Sequence, residues 1–456
     1  MAKREKMKLP KRRYYRSFVP DLSGGMDSVT DPRVLPLSHA EQVTNISVES
    51  GALENGYGIE YLNIDKSFTR VFFFKRYDDV TGKDSGCYIF YNEHDGGIYA
   101  SEKLTSDLTR IGGVEFGARP IGVNYRLNGE DVFLLCGEEG MAVISSDLSG
   151  VMVESAPSIT SLAMHNERMF VTIGGRKNAV WFSDDLDPTN WNPELDEGGF
   201  IELEGECGRL NKVVDFGGYV YIFRDYGISR LAAYGNQSDF SVTNLFVSSG
   251  KIYADTVAVC GDKIIFFASD GLYSFDGMSS TRILKKLDGI MKTFWEPKAC
   301  YCGGKYYLAA SDKYLLGLDP KSGAVAVSEA MNIRSFSPIT DYGGDVPIVH
   351  MNNGTVAKID RSGNYCGIVI PKIWRSGTSD FGSPDRKKLI SEIYLDTKYP
   401  CTVTLRTEKG EKTVNFEGKE GVQRKRVKLC GTKIQMEIRA EEKISAARPA
   451  LKYSLV

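Results

Sequence analysis

The sequence predicts an all-β protein: a six- or seven-bladed β-propeller with a small, jelly-roll-like β-sandwich at its C-terminal end. Three observations predict it. A glycine- or asparagine-centred turn recurs at the spacing of a propeller blade. Each turn opens into a short, nearly continuous apolar run. From residue 371 the pattern changes to period-two alternation. The chain accordingly divides into a basic arm and extended lead-in (1–58), a propeller (59–370) and a sandwich (371–456).

Composition agrees with this reading. At 456 residues the chain exceeds the size, about 250–300 residues, at which a single hydrophobic core stops growing. The 24 Tyr and 22 Phe, interrupted by 47 Gly, suit many short strands joined by tight turns. The 57 basic and 59 acidic residues leave a net charge of −2, which excludes a nucleic-acid footprint spread over the whole chain. No run approaches the roughly 18 apolar residues of a membrane span, and the first residues lack a signal-peptide core, so no membrane anchor is expected.

Residues 1–16 are basic: Lys3, Arg4, Lys6, Lys8, Lys11, Arg12, Arg13 and Arg16 stand against Glu5. Such a segment is either a solvated tail or an arm that docks on DNA or on a neighbouring subunit. Each cation placed on a phosphate adds a salt-dependent increment of affinity. The lead-in carries Leu22-Ser-Gly-Gly-Met, then Asp31-Pro-Arg-Val-Leu-Pro, with a short helix expected near Ser38–Thr44. It closes on the turn chemistry of Gly51-Ala-Leu-Glu-Asn-Gly.

The repeat is anchored on turns at Gly129, Asn166, Gly217, Gly261, Gly303 and Gly343, with steps of 37, 51, 44, 42 and 40 residues. A four-stranded blade takes about 40–50. After the turns come Val132-Phe-Leu-Leu-Cys, Met169-Phe-Val-Thr-Ile, Val220-Tyr-Ile-Phe, Ile264-Ile-Phe-Phe-Ala and Tyr306-Tyr-Leu-Ala-Ala. Runs without polar interruption suit strands covered on both faces, as in a blade packed between two others. A third strand follows each, and three of these end at an aspartate beside a turn: Asp276, Asp319 and Asp360. An irregular earlier unit, Val71–Phe74 to Ile98–Ala100, is the candidate seventh blade. Beyond 371, the segments Lys388–Asp396, Cys401–Thr407, Glu411–Phe416, Arg424–Leu429 and Lys433–Ile438 alternate apolar and polar residues, the mark of half-exposed antiparallel strands.

Catalytic patterns are lacking. No GxSxG, P-loop, HExxH or GxGxxG before a helix occurs. His39, His94, His165 and His350 are isolated in sequence, and the last two, beside repeat turns, are expected at the surface. The nine cysteines form no CxxC pair and read as small buried hydrophobes in a reducing cytosol. Cys300 and Cys302 have CxC spacing but no second ligand pair. Asp184 and Asp185 fit a capped turn, with a calcium site or a glycosidase acid pair as the rival readings. No catalytic residue, metal or cofactor is expected.

Two stretches carry a resemblance to a known family. The first is Trp181-Phe-Ser-Asp-Asp-Leu-Asp-Pro-Thr-Asn-Trp191, in which Trp181, Ser183, Asp187, Pro188 and Trp191 are the particular residues. It is followed by Leu210–Ile228 and Gly250–Gly277. The second is the lead-in, with Leu22-Ser-Gly-Gly-Met and Gly51-Ala-Leu. Over roughly residues 20–280 this order resembles the packaged-DNA stabilisation proteins of tailed bacteriophages, the propeller-bearing tail hub or nozzle family. The resemblance implies a structural virion protein without catalytic residues. It implies a homo-oligomeric ring, most often a hexamer, below the portal and adaptor. Such a ring extends the DNA channel, contacts its DNA non-specifically, retains it, and carries fibre or needle proteins. Assembly would take place in the host cytoplasm. The C-terminal sandwich departs from the pattern. A host-receptor or glycan-binding propeller, or a propeller glycosidase, is the alternative.

Overall fold

The computed structural model describes residues 15–456, apart from 19, 21, 36–37, 79–81, 105–106, 176–177, 194–197 and 206. Lys3, Arg4, Lys6, Lys8, Lys11, Arg12 and Arg13 lie outside the described residues. The chain divides into two units: Tyr57–Ala324 with Ser328–Ile368, and the described residues up to Gly56 with Val325–Val327 and Val369–Val456.

The larger unit is a propeller of seven antiparallel blades. Blade I is Phe68–Asp78, Lys83–Asn92, Gly97–Ser101 and Thr109–Glu115. Blade II is Ile121–Leu127, Glu130–Gly137, Gly140–Ile144 and Gly150–Val153. Blade III is Ile159–His165, Arg168–Ile173, Ala179–Phe182 and Gly199–Glu202. Blade IV is Leu210–Phe216, Tyr219–Arg224, Gly227–Ala232 and Ser241–Val247. Blade V is Ala258–Val259, Ile264–Ala268, Gly271–Phe275 and Ser280–Ile283. Blade VI contributes Lys298–Cys302, Lys305–Ala310 and Tyr314–Leu318 to this unit. Blade VII is Ile333–Asp341, Gly344–Met351 and Val356–Asp360, completed by Gly58–Tyr61 from the start of the unit. The irregular early repeat is thus a full blade. The repeat turns are the hairpins between first and second strands.

The apolar runs have a simple cause. Alternate side chains of a strand point to opposite faces, and each face of a blade meets a different neighbour. In blade II, Phe133 and Leu135 join Phe74 and Ile89 of blade I, while Leu134 and Cys136 join Met169 and Val171 of blade III. In blade IV, Val220 and Ile222 pack toward blade III, and Tyr221 and Phe223 toward blade V. Each such side chain contributes about 1.5–3 kcal/mol on burial. Buried serines clip inner strands together: the Val213 amide donates to Ser161 Oγ at 3.1 Å, and the Val71 amide to Ser337 Oγ at 3.2 Å. The second of these joins blade VII to blade I.

In blades V, VI and VII the hairpin after the third strand is held by an aspartate that accepts backbone N–H groups two or three residues on. Asp276 takes Met278 and Ser279, Asp319 takes Lys321 and Ser322, and Asp360 takes Ser362. These are Asx turns, and they explain the aspartates noted in the sequence.

The other unit is a two-sheet sandwich. One sheet runs Ala40–Thr44, Lys372–Ser376, Ile434–Ala440, Cys401–Thr407, Gly410–Phe416. The other includes Ile46–Ser47, Leu53–Asn55, Ser445–Leu455, Lys388–Thr397 and Lys419–Gly431, with Tyr15–Phe18 also paired to Ser445–Leu455. The lead-in is therefore part of the sandwich. The helix expected near Ser38–Thr44 is a strand instead: Val43 and Trp374 lie opposite each other in the ladder, both buried, and this pairing overrides weak local propensity. Two lysines are fully buried here and donate to backbone carbonyls. Lys388 donates to Ser383 O and to Thr432 O at 2.8 Å, and Lys372 to Ile370 O at 2.9 Å.

Candidate functional site

The inner strands of the propeller surround a channel cavity of about 480 Å³. Its charged lining comes from five blades and their approaches: Arg70, Arg119, Lys212 and Lys298 against one carboxylate, Asp255. Bulges aim several of these groups. The ladder slips by one residue at Phe68/Arg70, Leu210/Lys212 and Ile333/Ser335, at the start of an inner strand each time. A bulge bends the strand and re-aims its side chains, so Arg70, Lys212 and Ser335 turn into the channel. Asp255 sits on a 3-10 turn, Ala254–Thr256. Buried Thr256 fixes that turn by accepting the Phe267 amide at 2.9 Å and, through its carbonyl, the Tyr306 hydroxyl at 2.8 Å.

Behind the lining, Glu93 is shared by two arginines, Arg119 at 3.2 Å and Arg334 at 2.9 Å. Arg70 donates Nη1 to Phe336 O. Ser337 Oγ accepts the Val71 amide, so its own proton is free for His350 Nε2 at 2.8 Å. Burial, reinforced by Arg70 and Arg119, lowers the pKa of His350 to about 3, which keeps the ring neutral. Burial also lowers the pKa of Arg70, with Arg119 adding to it and Asp255 opposing. The same holds for Lys212, where Asp255 offsets part of the burial effect and Arg70 adds to it. Like charges are thus confined together with one counter-charge among them.

The family-like turn has a structural job. Ser183, fully buried, accepts the Met169 amide at 3.0 Å and donates to Asp184 O at 2.9 Å. Asp187 accepts Thr189 N at 2.9 Å and Thr189 Oγ1 at 2.6 Å. Pro188 is buried, Trp181 stacks on Phe200, and Trp191 fills the core between blades II and III. Asp184 and Asp185 lie in this capped turn. Arg16 lies in strand Tyr15–Phe18 opposite Tyr453, exposed.

Two expectations are corrected. His165 and His350 are not surface residues but are buried, at 5% and 2% exposure. His165 ends the strand Ile159–His165 and is held by Asp215 at 2.7 Å, while His350 lies within Gly344–Met351 with Nε2 2.8 Å from Ser337 Oγ. Cys300 and Cys302 are buried on the first strand of blade VI. Burial pushes the Cys302 thiol up to about 12 and Cys300 well above its ordinary value, so both stay protonated. Among the described residues no group of three or more His, Cys, Asp or Glu could hold a metal ion. Sequence reasoning missed the channel cations, because they lie far apart in the chain and share no motif; the repeat phase of Arg70 and Lys212, each two residues into an inner strand, was the available signal.

The strand pairings define the class: a seven-bladed β-propeller together with a β-sandwich unit. No protein-family model and no curated protein matches the sequence. Solved structures similar to it include BamB from Moraxella catarrhalis, with a TM-score of 0.40 at 12% identity over 64% of this chain and 83% of that one. BBS1N in complex with ARL6DN, from a lead-soaked crystal, gives 0.46 at 8% identity over 70% of this chain and 98% of that one.

Proposed function

We propose that the chain is a non-enzymatic structural protein of a tailed-phage virion, one protomer of the tail hub or nozzle ring. In this reading it is a homo-oligomer, a hexamer, assembled in the host cytoplasm beneath portal and adaptor, carrying fibre or needle proteins and touching channel DNA non-specifically. The observation that supports it most is the role of the family-like residues. Trp181 and Trp191 pack in the blade II–III core, Ser183 ties the turn to blade III, Asp187 caps it, and Pro188 is buried in it. Gly24 and Gly25 build the lead-in turn, whose Gly25 carbonyl accepts the Ala40 amide at 2.9 Å. All of them serve scaffolding. Among the described residues the channel cavity is lined by one carboxylate, Asp255, which does not make the pair that glycoside hydrolysis uses.

Mass photometry and negative-stain imaging of the purified protein, with and without its portal and adaptor, test this. Rings with a central opening wide enough for duplex DNA are expected. A monomer that never assembles in either setting overturns the reading. One observation favours a second reading, glycan binding: the hairpin side of blades I and II carries a groove of about 550 Å³ lined by Tyr77, Tyr125 and Tyr342 with Asp84, Asp131 and Arg126. Binding on a glycan array that Tyr342→Ala abolishes would move the assignment there.

A further inference from the structure

We propose that the propeller channel binds a small multivalent oxyanion of the phosphate class, held by Arg70, Arg119, Lys212 and Lys298. Charge is the first argument. The lining sets four cations against Asp255. Widening the view to Arg334 adds a cation and, with it, Glu93, so the excess of positive charge is unchanged. Confining like charges in a partly dehydrated cavity is unfavourable unless an anion joins them.

Unsatisfied donors are the second, independent argument. Arg70 Nε and Arg119 Nε are buried without an acceptor among the described residues, as are Thr69 Oγ1 and Ser335 Oγ at the same bulges. Lys212 and Lys298, partly exposed in the cavity lining, find no hydrogen-bond acceptor among the described residues. A buried orphan donor is costly and uncommon, and those of Arg70, Arg119 and Ser335 belong to side chains that line the same cavity. An acceptor-only ligand with several oxygens supplies the counter-charge of the lining and the acceptors that the two lysine ammonium groups lack, and guanidinium groups suit phosphate geometry. At about 480 Å³ the cavity falls in the range of roughly 300–1,000 Å³ typical of small-ligand sites.

The test uses the full chain with sodium phosphate, pyrophosphate and tripolyphosphate, compared with sodium chloride at matched ionic strength. Calorimetry is expected to show one site per chain, tighter for pyrophosphate than for phosphate, and the thermal midpoint should rise with anion and not with chloride. Lys212→Met and Lys298→Met should each weaken binding at least tenfold while unfolding no earlier than wild type without anion, since each relieves repulsion. Lys321→Met, on a hairpin outside the channel, should bind like wild type. If Lys212→Met fails to fold, Lys298→Met and Lys298→Gln, at a less enclosed position, carry the test alone. No saturable heat, a midpoint shift that chloride reproduces, or binding undiminished in the channel variants overturns the proposal.

Discussion

Gly317 carries no side chain because Tyr57 occupies the space one would fill: a Cβ there would lie 2.0 Å from the tyrosine ring. The ring cannot give way, being buried, set edge-on to Tyr307 at 5.2 Å and covered by Arg361 at 4.1 Å. Gly317→Ala should therefore cost at least about 1–3 kcal/mol, read as a lower urea midpoint with an unchanged slope. Gly24 is constrained in the same way, its Cβ position meeting the Ser38 carbonyl at 1.7 Å, while Gly25 beside it sits at φ +69°. His350 sets a pH dependence. Its folded pKa of about 3 lies below the ordinary 6.5, so the unfolded chain binds the proton first. Stability from this group is complete above pH 6.5 and is lost as pH falls toward 3, by up to about 1.4 kcal/mol per pH unit. Carboxylates with lowered values, such as Glu437 between Arg375 and Arg406, lose theirs only below about pH 4.3. Urea midpoints between pH 6.5 and 5 thus isolate the histidine, and the decline should vanish in His350→Phe.

Strands and turns explain both what the sequence revealed and what it hid. The Gly-Gly hairpins and unbroken apolar runs were legible because every blade must repeat the same turn and bury both faces of its second strand. Blade I was harder to see, since its first two strands run to 11 and 10 residues and push the hairpin away from the repeat turn. The Gly58–Tyr61 strand was hidden within turn-like lead-in chemistry, because its identity as a strand is supplied by Val356–Asp360 and not by its own residues. The same holds for Ala40–Thr44. Trp191 shows the reverse case, a residue conspicuous in sequence whose role is a blade junction. Trp191→Ala should cost about 3–5 kcal/mol and expose the blade II–III core, measurable as faster amide exchange in Glu130–Gly137 and Arg168–Ile173.

At the scale of the molecule, the propeller is sealed by pairing its first strand to its last. Ile59 is central to that seal. It is buried, opposes Ile359, donates to Asn364 O at 2.8 Å and accepts the Cys366 amide at 2.7 Å. Ile59→Pro removes the N–H that ties this strand to Asn364 and sets a rigid ring in the middle of the seal; it should raise exchange in blades VII and I together, leaving blade IV near its wild-type protection. Exchange confined to blade VII would mean that the seal matters only locally. The channel belongs to this scale too. Arg70, Arg119, Lys212 and Lys298 become neighbours only when the ring is complete, which is why no local pattern announced them.

The seal also sets a clock. Ile59 and Ile359 stand 300 positions apart in the chain, and at about 5–20 residues per second a ribosome needs on the order of 15–60 seconds to cover that interval. Until then the Gly58–Tyr61 edge has no mate, and strand Tyr15–Phe18 waits longer still for Ser445–Leu455. The earliest-made segments of both units are therefore the last to be sheltered. A nascent chain spends most of its synthesis with bare backbone edges on display, the condition in which holding chaperones and slow dilution during expression decide yield.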